Sequence, residues 1–460
     1  MSKPEPVPGG QYHNNSVKKS TELIRVDRLK EQIGTEIQVV DKTYYLYEQG
    51  VWKTRTRNLM RPLALRTLDP EDRTTNAVRA ILDLAEDRWQ VAASTFRGCI
   101  IFDPNGNVLI NTLDAVLRVT PTTIEELPHS HEYYFTRQLQ VVYTPGVDFP
   151  HYRKALQEGL PCEEDQKLKQ LMMANIFYPS AKFEVALVEV GAAGSGKSTL
   201  AEPFLNMFGD KLKTTPRVVS HLTIVQLCDS RTYGLAELES SLVNHAAELQ
   251  SLEVADSSNF KTLVSGEPIQ VRDIYEKSQV IRPTCKLWFL SNTMPRFKHG
   301  TAAELRRLRF LFYQHVASEE QFDSTLKQTL TQERDAIFSG WVLPALQELL
   351  TMNRMPLGGK ASTDQMERFA TSNDPLASFV MGQCVFEKDA FIPTHRMINA
   401  LQEHYRELDL PASFGNNPLK PFLERYPFIK QGRFRAQDNV RGLVGVRLKT
   451  DEELKKSLPS

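Results

Sequence analysis

The feature that most constrains this 460-residue chain is a glycine-rich run at residues 191–198, which reads Gly-Ala-Ala-Gly-Ser-Gly-Lys-Ser. An apolar segment over residues 183–190 precedes the run and is typical of a buried strand, and the residues after the run are predicted to begin a helix. A strand, a glycine-rich loop and a helix in this order indicate a P-loop, in which backbone N–H groups surround the phosphates of a nucleotide. The sequence therefore predicts an α/β domain that binds a nucleoside triphosphate. The alternative interpretation is a glycine-rich turn in which the lysine is incidental.

Each residue type in the run suits one task in binding a triphosphate. Glycines at three positions let the backbone turn around the β-phosphate, Lys197 can reach the β and γ oxygens, and the hydroxyl of Ser198 can bind Mg²⁺. The N-terminus of the helix that follows adds positive potential. We predict ATP and Mg²⁺ as cofactors, and as nucleotide-binding residues Gly191, Gly194, Ser195, Gly196, Lys197, Ser198 and Thr199.

Composition excludes some classes of protein. Lys plus Arg and Asp plus Glu are 56 each, so no net charge attracts the whole molecule to nucleic acid, and any nucleic-acid site must be local. The five cysteines are scattered and odd in number, which favours a reducing compartment without a disulfide framework or a zinc site. The sequence has no run of 18 apolar residues and no apolar core near its start. We expect a cytosolic protein that does not associate with membranes.

The pattern of apolar residues and breakers predicts a multidomain α/β protein. Residues 375–460 read as three helices followed by two strands, which is the order of a winged helix-turn-helix. The predicted order along the chain is a disordered tail at 1–20, an accessory α+β domain at 21–150, a nucleotide-binding domain with leading helices at 151–350, a linker at 351–374 and the winged helix at 375–460.

Three further sites suit ATP hydrolysis, which needs an acid to activate water, a polar group near the γ-phosphate and an arginine. Glu248 follows a weak strand candidate at residues 242–247, although it can equally be a surface glutamate. Asn292 ends a better strand candidate at residues 285–291, or simply caps the turn before Pro295. Arg306 and Arg307 lie in an arginine-rich segment that can reach a neighbouring subunit, or can form a solvated basic face.

Two segments are candidate DNA contacts. Residues 261–277 include Lys261, Arg272 and Lys277. Their second half alternates between apolar and polar residues like a strand, and Tyr-Glu-Lys-Ser can form the tip of a hairpin whose Lys277 touches a phosphate backbone. An ordinary solvent-facing hairpin is the alternative. In the C-terminal strands Arg433 and Arg435, with two further arginines at 441 and 447, can lie on phosphates or can simply keep the domain soluble.

The series of motifs resembles the superfamily 3 helicase domain of phage and plasmid primase-helicases, a group related to the poxvirus primase-helicase. The resemblance rests on GxxxxGKS, the isolated Glu248, Lys-x-Leu-x-Ser-Gly-Glu-Pro-Ile-x-x-Arg at 261–272, the strand ending in Ser-Asn-x-x-Pro, and Arg-Arg-Leu-Arg at 306–309. Upstream, residues 45–52 and 136–145 are similar to the pre-helicase domain of this group. The resemblance covers most of residues 35–450.

What the resemblance implies is an AAA+-like ATPase core with a central β-sheet in a homo-oligomeric, hexameric ring that moves 3′ to 5′ along single-stranded DNA and unwinds the duplex. Lys197 and Ser198 would hold the phosphates and Mg²⁺, Glu248 would be the catalytic acid and contact Mg²⁺ through water, and Asn292 would be the sensor. Arg306 or Arg307 would act in trans. A phage or mobile element in a bacterial host cytoplasm, with a separate primase or loader as partner, is the expected setting.

The sequence departs from this group at two points. Ala247 stands where many superfamily 3 proteins have a second acid, so one carboxylate must activate water or Mg²⁺ is held mainly through Ser198. The chain is also too short for the primase domain of many relatives, so we do not expect primer synthesis. An origin-binding initiator or loader that uses ATP mainly for assembly is the principal alternative, and a P-loop ATPase unrelated to nucleic acid is a third.

Overall fold

The protein is a mixed α/β chain with several separate sheets in a computed structural model. The structure describes residues 21–209, 218–229, 234–247, 253–254, 258–272, 278–294, 296–297, 306–316, 323–373, 375–407, 418–434, 440–450 and 453. Backbone contacts divide the chain into two units, of which the first comprises residues up to Ile101 with Leu109–Arg118 and Glu125–Leu139, and the second comprises the rest.

In the first unit, three helices pack against one face of an antiparallel sheet. Tyr44 and Leu46 alternate along the middle strand and point into this core, and Gln49 and Gly50 supply the positive φ angles that a two-residue turn needs before Trp52. The elements are α1 (Thr21–Ile33), β1 (Ile37–Val40), β2 (Thr43–Glu48), β3 (Val51–Arg55), α2 (Arg57–Arg66) and α3 (Thr75–Trp89), with sheet order β1-β2-β3.

A four-stranded sheet follows in chain order. Its first two strands are joined by a turn with the sequence Pro-Asn-Gly-Asn at residues 104–107, where the N–H of Gly106 donates to the carbonyl of Asp103 at 3.0 Å. The strands are β4 (Ile100–Phe102), β5 (Val108–Asn111), β6 (Val116–Val119) and β7 (Ile124–Leu127).

The centre of the second unit is a five-stranded parallel sheet whose strands are, in spatial order, β16 (Leu308–Tyr313), β8 (Ala186–Gly191), β14 (Lys286–Ser291), β10 (Val243–Ala246) and β9 (Val219–Ser220). Its middle strands are apolar and buried on both sides, as parallel strands covered by helices are. The elements of this region are α4 (Pro150–Gly159), α5 (Glu163–Asn175), β8 (Ala186–Gly191), α6 (Lys197–Asn206), β9 (Val219–Ser220), α7 (Ile224–Cys228), α8 (Glu237–Ser240), β10 (Val243–Ala246), β11 (Glu253–Val254), α9 (Ser258–Val264), β12 (Ile269–Val271), β13 (Gln279–Ile281), β14 (Lys286–Ser291), β15 (Arg296–Phe297) and β16 (Leu308–Tyr313).

Helices α10 (Leu326–Gln332), α11 (Arg334–Ile337) and α12 (Leu343–Thr351) follow the sheet, with a π-helical segment at Phe338–Val342 before α12. Residues 351–374, which composition predicts to be a linker, contain helix α13 (Lys360–Asn373). The carboxylate of Asp165 on α5 accepts hydrogen bonds from the Gly359 N–H at 2.8 Å and from the Ser362 hydroxyl at 2.7 Å. These two hydrogen bonds connect the start of α13 to α5.

The C-terminal part of the second unit has a hydrophobic core of its own. Its elements are α14 (Pro375–Gln383), β17 (Cys384–Pro393), α15 (Thr394–Glu407), α16 (Lys420–Arg425), β18 (Lys430–Phe434) and β19 (Val440–Leu448), with an antiparallel sheet in the order β17-β19-β18. The sequence analysis missed β17, because its central residues are charged and exposed and therefore do not alternate like a half-buried strand.

Within the described part of the chain, no helix is both long and apolar enough to cross a membrane.

Candidate nucleotide-binding site

The glycine-rich run forms the loop between β8, which ends at Gly191, and α6, which begins at Lys197. Gly194 and Gly196 have φ angles of 79° and 85°, in the left-handed region that favours glycine. A Cβ on Gly191 would lie 2.7 Å from the carbonyl oxygen of Tyr313, so only glycine fits there. Glycine is therefore needed at positions 194 and 196 for the left-handed backbone, and at position 191 because Tyr313 packs against it.

The amine of Lys197 lies inside this loop. It donates to the carbonyls of Gly191 and Ala192, to the latter at 2.9 Å, and to the hydroxyl of Ser195 at 3.1 Å. Burial lowers the pKa of Lys197, and the charge of Glu189 opposes that shift. Ser198 and Thr199 follow in the first turn of α6, with Ser198 exposed. A phosphate held by the loop would therefore meet an amine, a hydroxyl and a helix N-terminus.

Asn292 lies beside the loop because β14 is the neighbour of β8. The two strands are parallel, with Ser291 opposite Val190, so the residues that follow them lie at the same edge of the sheet. The Lys197 amine donates to Oδ1 of Asn292 at 3.4 Å, and Asn292 is exposed. The strand and the position of the asparagine are those that the sequence predicts.

Glu248 lies outside the described residues. Strand β10 pairs with β14 on the side away from β8 and ends at Ala246, two residues before Glu248. The carboxyl ends of β8, β14 and β10 are thus at one edge of the sheet, which is where ligands bind in open α/β sheets.

Arg306 and Arg307 differ in their surroundings. The Arg307 side chain is buried, donates to the Ser265 hydroxyl at 2.9 Å and lies 3.8 Å from the Glu184 carboxylate. Arg306 is exposed in the turn two residues before β16. Because Tyr313 at the end of β16 lies opposite Gly191, Arg306 is roughly 20 Å from the loop of its own chain at about 3.3 Å per residue.

The predicted hairpin is present as the antiparallel pair β12 and β13. Arg272 is exposed directly after β12, whereas Lys261 lies on helix α9 before the hairpin. Lys277, in the segment that joins the two strands, lies outside the described residues.

In the C-terminal sheet, Arg433 on β18 lies directly opposite Arg441 on β19, and both are exposed. Among the residues that the structure describes, no acid forms an ion pair with either of them, and like charges facing each other across a hairpin are destabilising. Arg447, in contrast, donates to the carboxylates of Glu387 at 2.9 Å and Glu453 at 2.8 Å. Arg435 lies outside the described residues.

The sequence analysis missed a polar group under the loop. Glu189 on β8 is completely buried and accepts hydrogen bonds from Lys169 on α5 and from Nε1 of Trp288 on β14, the latter at 2.7 Å. The signal that was available is a carboxylate in an otherwise apolar strand, since a buried charge is retained only when it is paired.

A model of a family of unknown function, DUF5906, matches residues 190–307, which contain the loop, Asn292 and both arginines. A search of curated proteins finds no relative. Among solved structures, the chain is similar to the A-form apo structure of the NrS-1 C-terminal region, with a TM-score of 0.54 and 14% sequence identity. The likeness covers 93% of this chain and 100% of that one.

Two further structures of the same region, residues 305–718 of NrS-1, match at TM-scores of 0.52 and 0.53, with 13% identity and the same coverage. At this level of identity the likeness establishes a shared fold. It extends across both units and therefore includes the parts of the chain outside the matched family segment.

Proposed function

We propose that this protein is an ATP-driven DNA helicase of the superfamily 3 type, which acts in the replication of a phage, plasmid or other mobile element. The observation that carries the proposal is the meeting of Lys197 and Asn292 at the ends of two adjacent parallel strands. A cation from the glycine-rich loop and an amide from the next strand would then both face the γ-phosphate of ATP, where negative charge develops during hydrolysis.

The residues at the loop fit a magnesium–triphosphate complex. The Ser198 hydroxyl is exposed in the first turn of α6, where it would bind Mg²⁺, and Lys197 would exchange its bonds with loop carbonyls for the β and γ oxygens. When bound, Mg²⁺ neutralises part of the developing charge. Glu248 follows the next strand of the same edge and would accept the proton of the attacking water.

We propose that the active form is a ring, most simply a hexamer. Hydrolysis at the loop requires an arginine, and Arg306 cannot supply it to its own chain because it lies at the far end of β16. An exposed Arg306 that reaches the nucleotide of a neighbouring subunit would complete the site, in the manner of an arginine finger supplied in trans. Arg307, buried against Ser265, would support the fold instead.

DNA would meet the protein at two places in this proposal. Within the ring, the β12–β13 hairpin would place Arg272 and Lys277 near the phosphates of a single strand. The C-terminal elements follow the order helix, strand, two helices, two strands, which is that of a winged helix. There the facing pair Arg433 and Arg441 would be neutralised by a duplex phosphate backbone.

The experiment is ATP-dependent unwinding of duplexes with a 3′ or a 5′ single-stranded tail, using the wild-type chain, Lys197→Ala and, as a matched control, Lys154→Ala on the exposed face of α4. We expect unwinding from the 3′ tail only, abolished in Lys197→Ala and retained in Lys154→Ala. ATP hydrolysis that no DNA stimulates would contradict the proposal and favour an ATPase unrelated to nucleic acid.

A second candidate is an origin-binding initiator or loader, which the facing arginines of the C-terminal sheet also suit. Such a protein would use ATP for assembly, so it would bind duplex DNA and form oligomers with ATP without displacing a strand. In that case Arg433→Ala with Arg441→Ala would abolish DNA binding and leave ATP-dependent assembly intact.

A further inference from the structure

The completely buried carboxylate of Glu189 lies at a junction of the elements that surround the glycine-rich loop. Glu189 precedes Gly191 by two residues on β8, and its Oε1 accepts a hydrogen bond from Nε1 of Trp288 at 2.7 Å. Trp288 in turn precedes Asn292 by four residues on β14. One hydrogen bond therefore connects the side chains of the two strands that carry the loop and the asparagine.

The Glu189 carboxylate also contacts helix α5. Lys169 on α5 is completely buried, forms an ion pair with Glu189, and its amine lies 4.9 Å from the centre of the Trp288 ring. Glu189, Lys169 and Trp288 thus contact one another. Separating the buried Glu189 and Lys169 would leave an unpaired charge in the core, which is strongly unfavourable, so their side chains are held in this arrangement.

Strand β16 contacts the loop from the side of β8 that is opposite β14. Tyr313 ends β16, and its backbone oxygen and Cβ would lie 2.7 and 2.8 Å from any Cβ at position 191. Burial and then the charge of Glu189 raise the pKa of the Tyr313 phenol well above its ordinary value. The loop therefore has β16 against it on one side, and on the other the bond between Glu189 and Trp288 adds a side-chain link to the backbone pairing of β8 with β14.

We infer that Glu189 and Trp288 are positioning residues. Their hydrogen bond, which joins β8 to β14, keeps Lys197 and Asn292 at the distances from the γ-phosphate that are needed when water attacks it. The inference rests on the proposed ATPase function and adds residues that do not touch the nucleotide. A misplacement of about 1 Å at a reacting centre costs on the order of a hundredfold in rate. Ground-state binding, which uses the loop backbone, depends much less on that distance.

The first test compares Trp288→Phe with Trp341→Phe, a tryptophan whose ring packs against Tyr152 and Phe204. Trp288→Phe keeps an aromatic ring at this position and leaves the ion pair of Lys169 with Glu189, but it removes the N–H donor together with part of the buried indole. Because the smaller side chain leaves a cavity in the core, Trp288→Phe should also melt at a lower temperature than Trp341→Phe, so both are assayed where they are fully folded. There we expect kcat for ATP hydrolysis to fall 10- to 100-fold in Trp288→Phe, with KM close to that of Trp341→Phe. Equal kcat values in the two variants would overturn the inference.

The second test uses double variants without buried charge, because a single substitution of Glu189 would leave Lys169 unpaired and destabilise the fold. Lys169→Met with Glu189→Gln keeps an acceptor for Trp288, whereas Lys169→Met with Glu189→Leu removes it. The leucine version should melt at a lower temperature, because it leaves the buried Trp288 N–H without an acceptor. At a temperature where both are folded, only the glutamine version should retain wild-type kcat. Equal kcat in the two double variants would show that the group serves stability alone.

Measuring whether the wild-type chain binds and hydrolyses ATP distinguishes a failure of the positioning role from a failure of the proposed ATPase function. A wild-type chain that binds no ATP would overturn both. A chain that hydrolyses ATP and loses nothing with Trp288→Phe would overturn the positioning role and leave the ATPase function standing.

Discussion

Lys197 donates a hydrogen bond to Oδ1 of Asn292 at 3.4 Å, although the two residues are 95 positions apart in the chain. The contact exists because β8 and β14 are parallel neighbours and both loops leave the sheet at the same edge. An exposed amide and a partly buried amine at that edge form a pair to which one phosphate oxygen can bind.

Asn292→Ala is expected to lower kcat for ATP hydrolysis about 10- to 100-fold and to change ATP affinity by less than about threefold, because the amide would act mainly on charge that develops in the transition state. Steady-state kinetics together with equilibrium binding would measure the two effects. Asn76→Ala on α3 is the control and should leave both quantities unchanged. A loss of binding equal to the loss of rate would place Asn292 in ground-state binding instead.

Gly191→Ala should weaken ATP binding at least tenfold. The added Cβ would meet the backbone oxygen of Tyr313 at 2.7 Å and the Ser195 hydroxyl at 2.9 Å, so the loop must move. Gly382→Ala provides the control, since its Cβ would lie in open space within a helix and should leave binding as it is. Binding titrations with a fluorescent ATP analogue would compare them, and equal affinities would show that the loop tolerates the side chain.

Arg306→Ala should abolish hydrolysis without lowering the melting temperature, because the side chain is exposed and would act on a neighbouring subunit. Arg307→Ala should instead lower the melting temperature, since it removes a buried partner of Ser265. The direct check is to mix Arg306→Ala with Lys197→Ala. Subunits that lack different parts of a shared site should recover part of the activity, whereas no recovery at any ratio would argue against action in trans.

Much of this site could be predicted from local sequence. The loop follows from glycine spacing after an apolar strand, and the strand before Asn292 follows from its apolar run, because both are local patterns. The choice between Arg306 and Arg307 could not be made in the same way. Two adjacent arginines have the same chemistry, and only the packing of β16 against Ser265 and Glu184 decides which of them is buried.

The residues that the sequence analysis missed are those whose role depends on contacts distant in sequence. Glu189 gains Lys169 and Trp288 only when β8 packs between α5 and β14. Strand β17 was missed because Glu387 and the residues after it are charged, and its pairing with β19 is interrupted between Phe386 and Phe391. In both cases tertiary contacts overcome the local pattern.

Asp165→Ala should lower the free energy of unfolding by about 2 kcal/mol, because the Gly359 N–H and the Ser362 hydroxyl would lose their buried acceptor. Asp165→Asn keeps an acceptor oxygen and should cost roughly half as much. Unfolding in urea, followed by circular dichroism, would measure both. Equal effects of the two substitutions would show that the charge of Asp165 matters more than its hydrogen bonds.

The stability of the fold should depend on pH through Lys286. Its amine is buried, donates to the carbonyls of Ser180 and Thr284 at 2.7 Å, and burial lowers its pKa from 10.5 to about 8. Between pH 8 and 10.5 the unfolded chain keeps a proton that the folded chain has released, so raising the pH favours the folded state in this window.

Lys286→Met removes the titrating group, and comparison with it cancels the contributions of the other residues. The free energy of unfolding of the wild-type chain should therefore rise relative to that of Lys286→Met between pH 8 and 10.5, by at most about 3 kcal/mol, and the difference should be constant below pH 8. Urea unfolding of both chains at pH 7, 8, 9 and 10 would measure it. A difference that stays constant up to pH 10 would mean that Lys286 remains protonated in the folded protein, held by the two carbonyl oxygens rather than neutralised by burial.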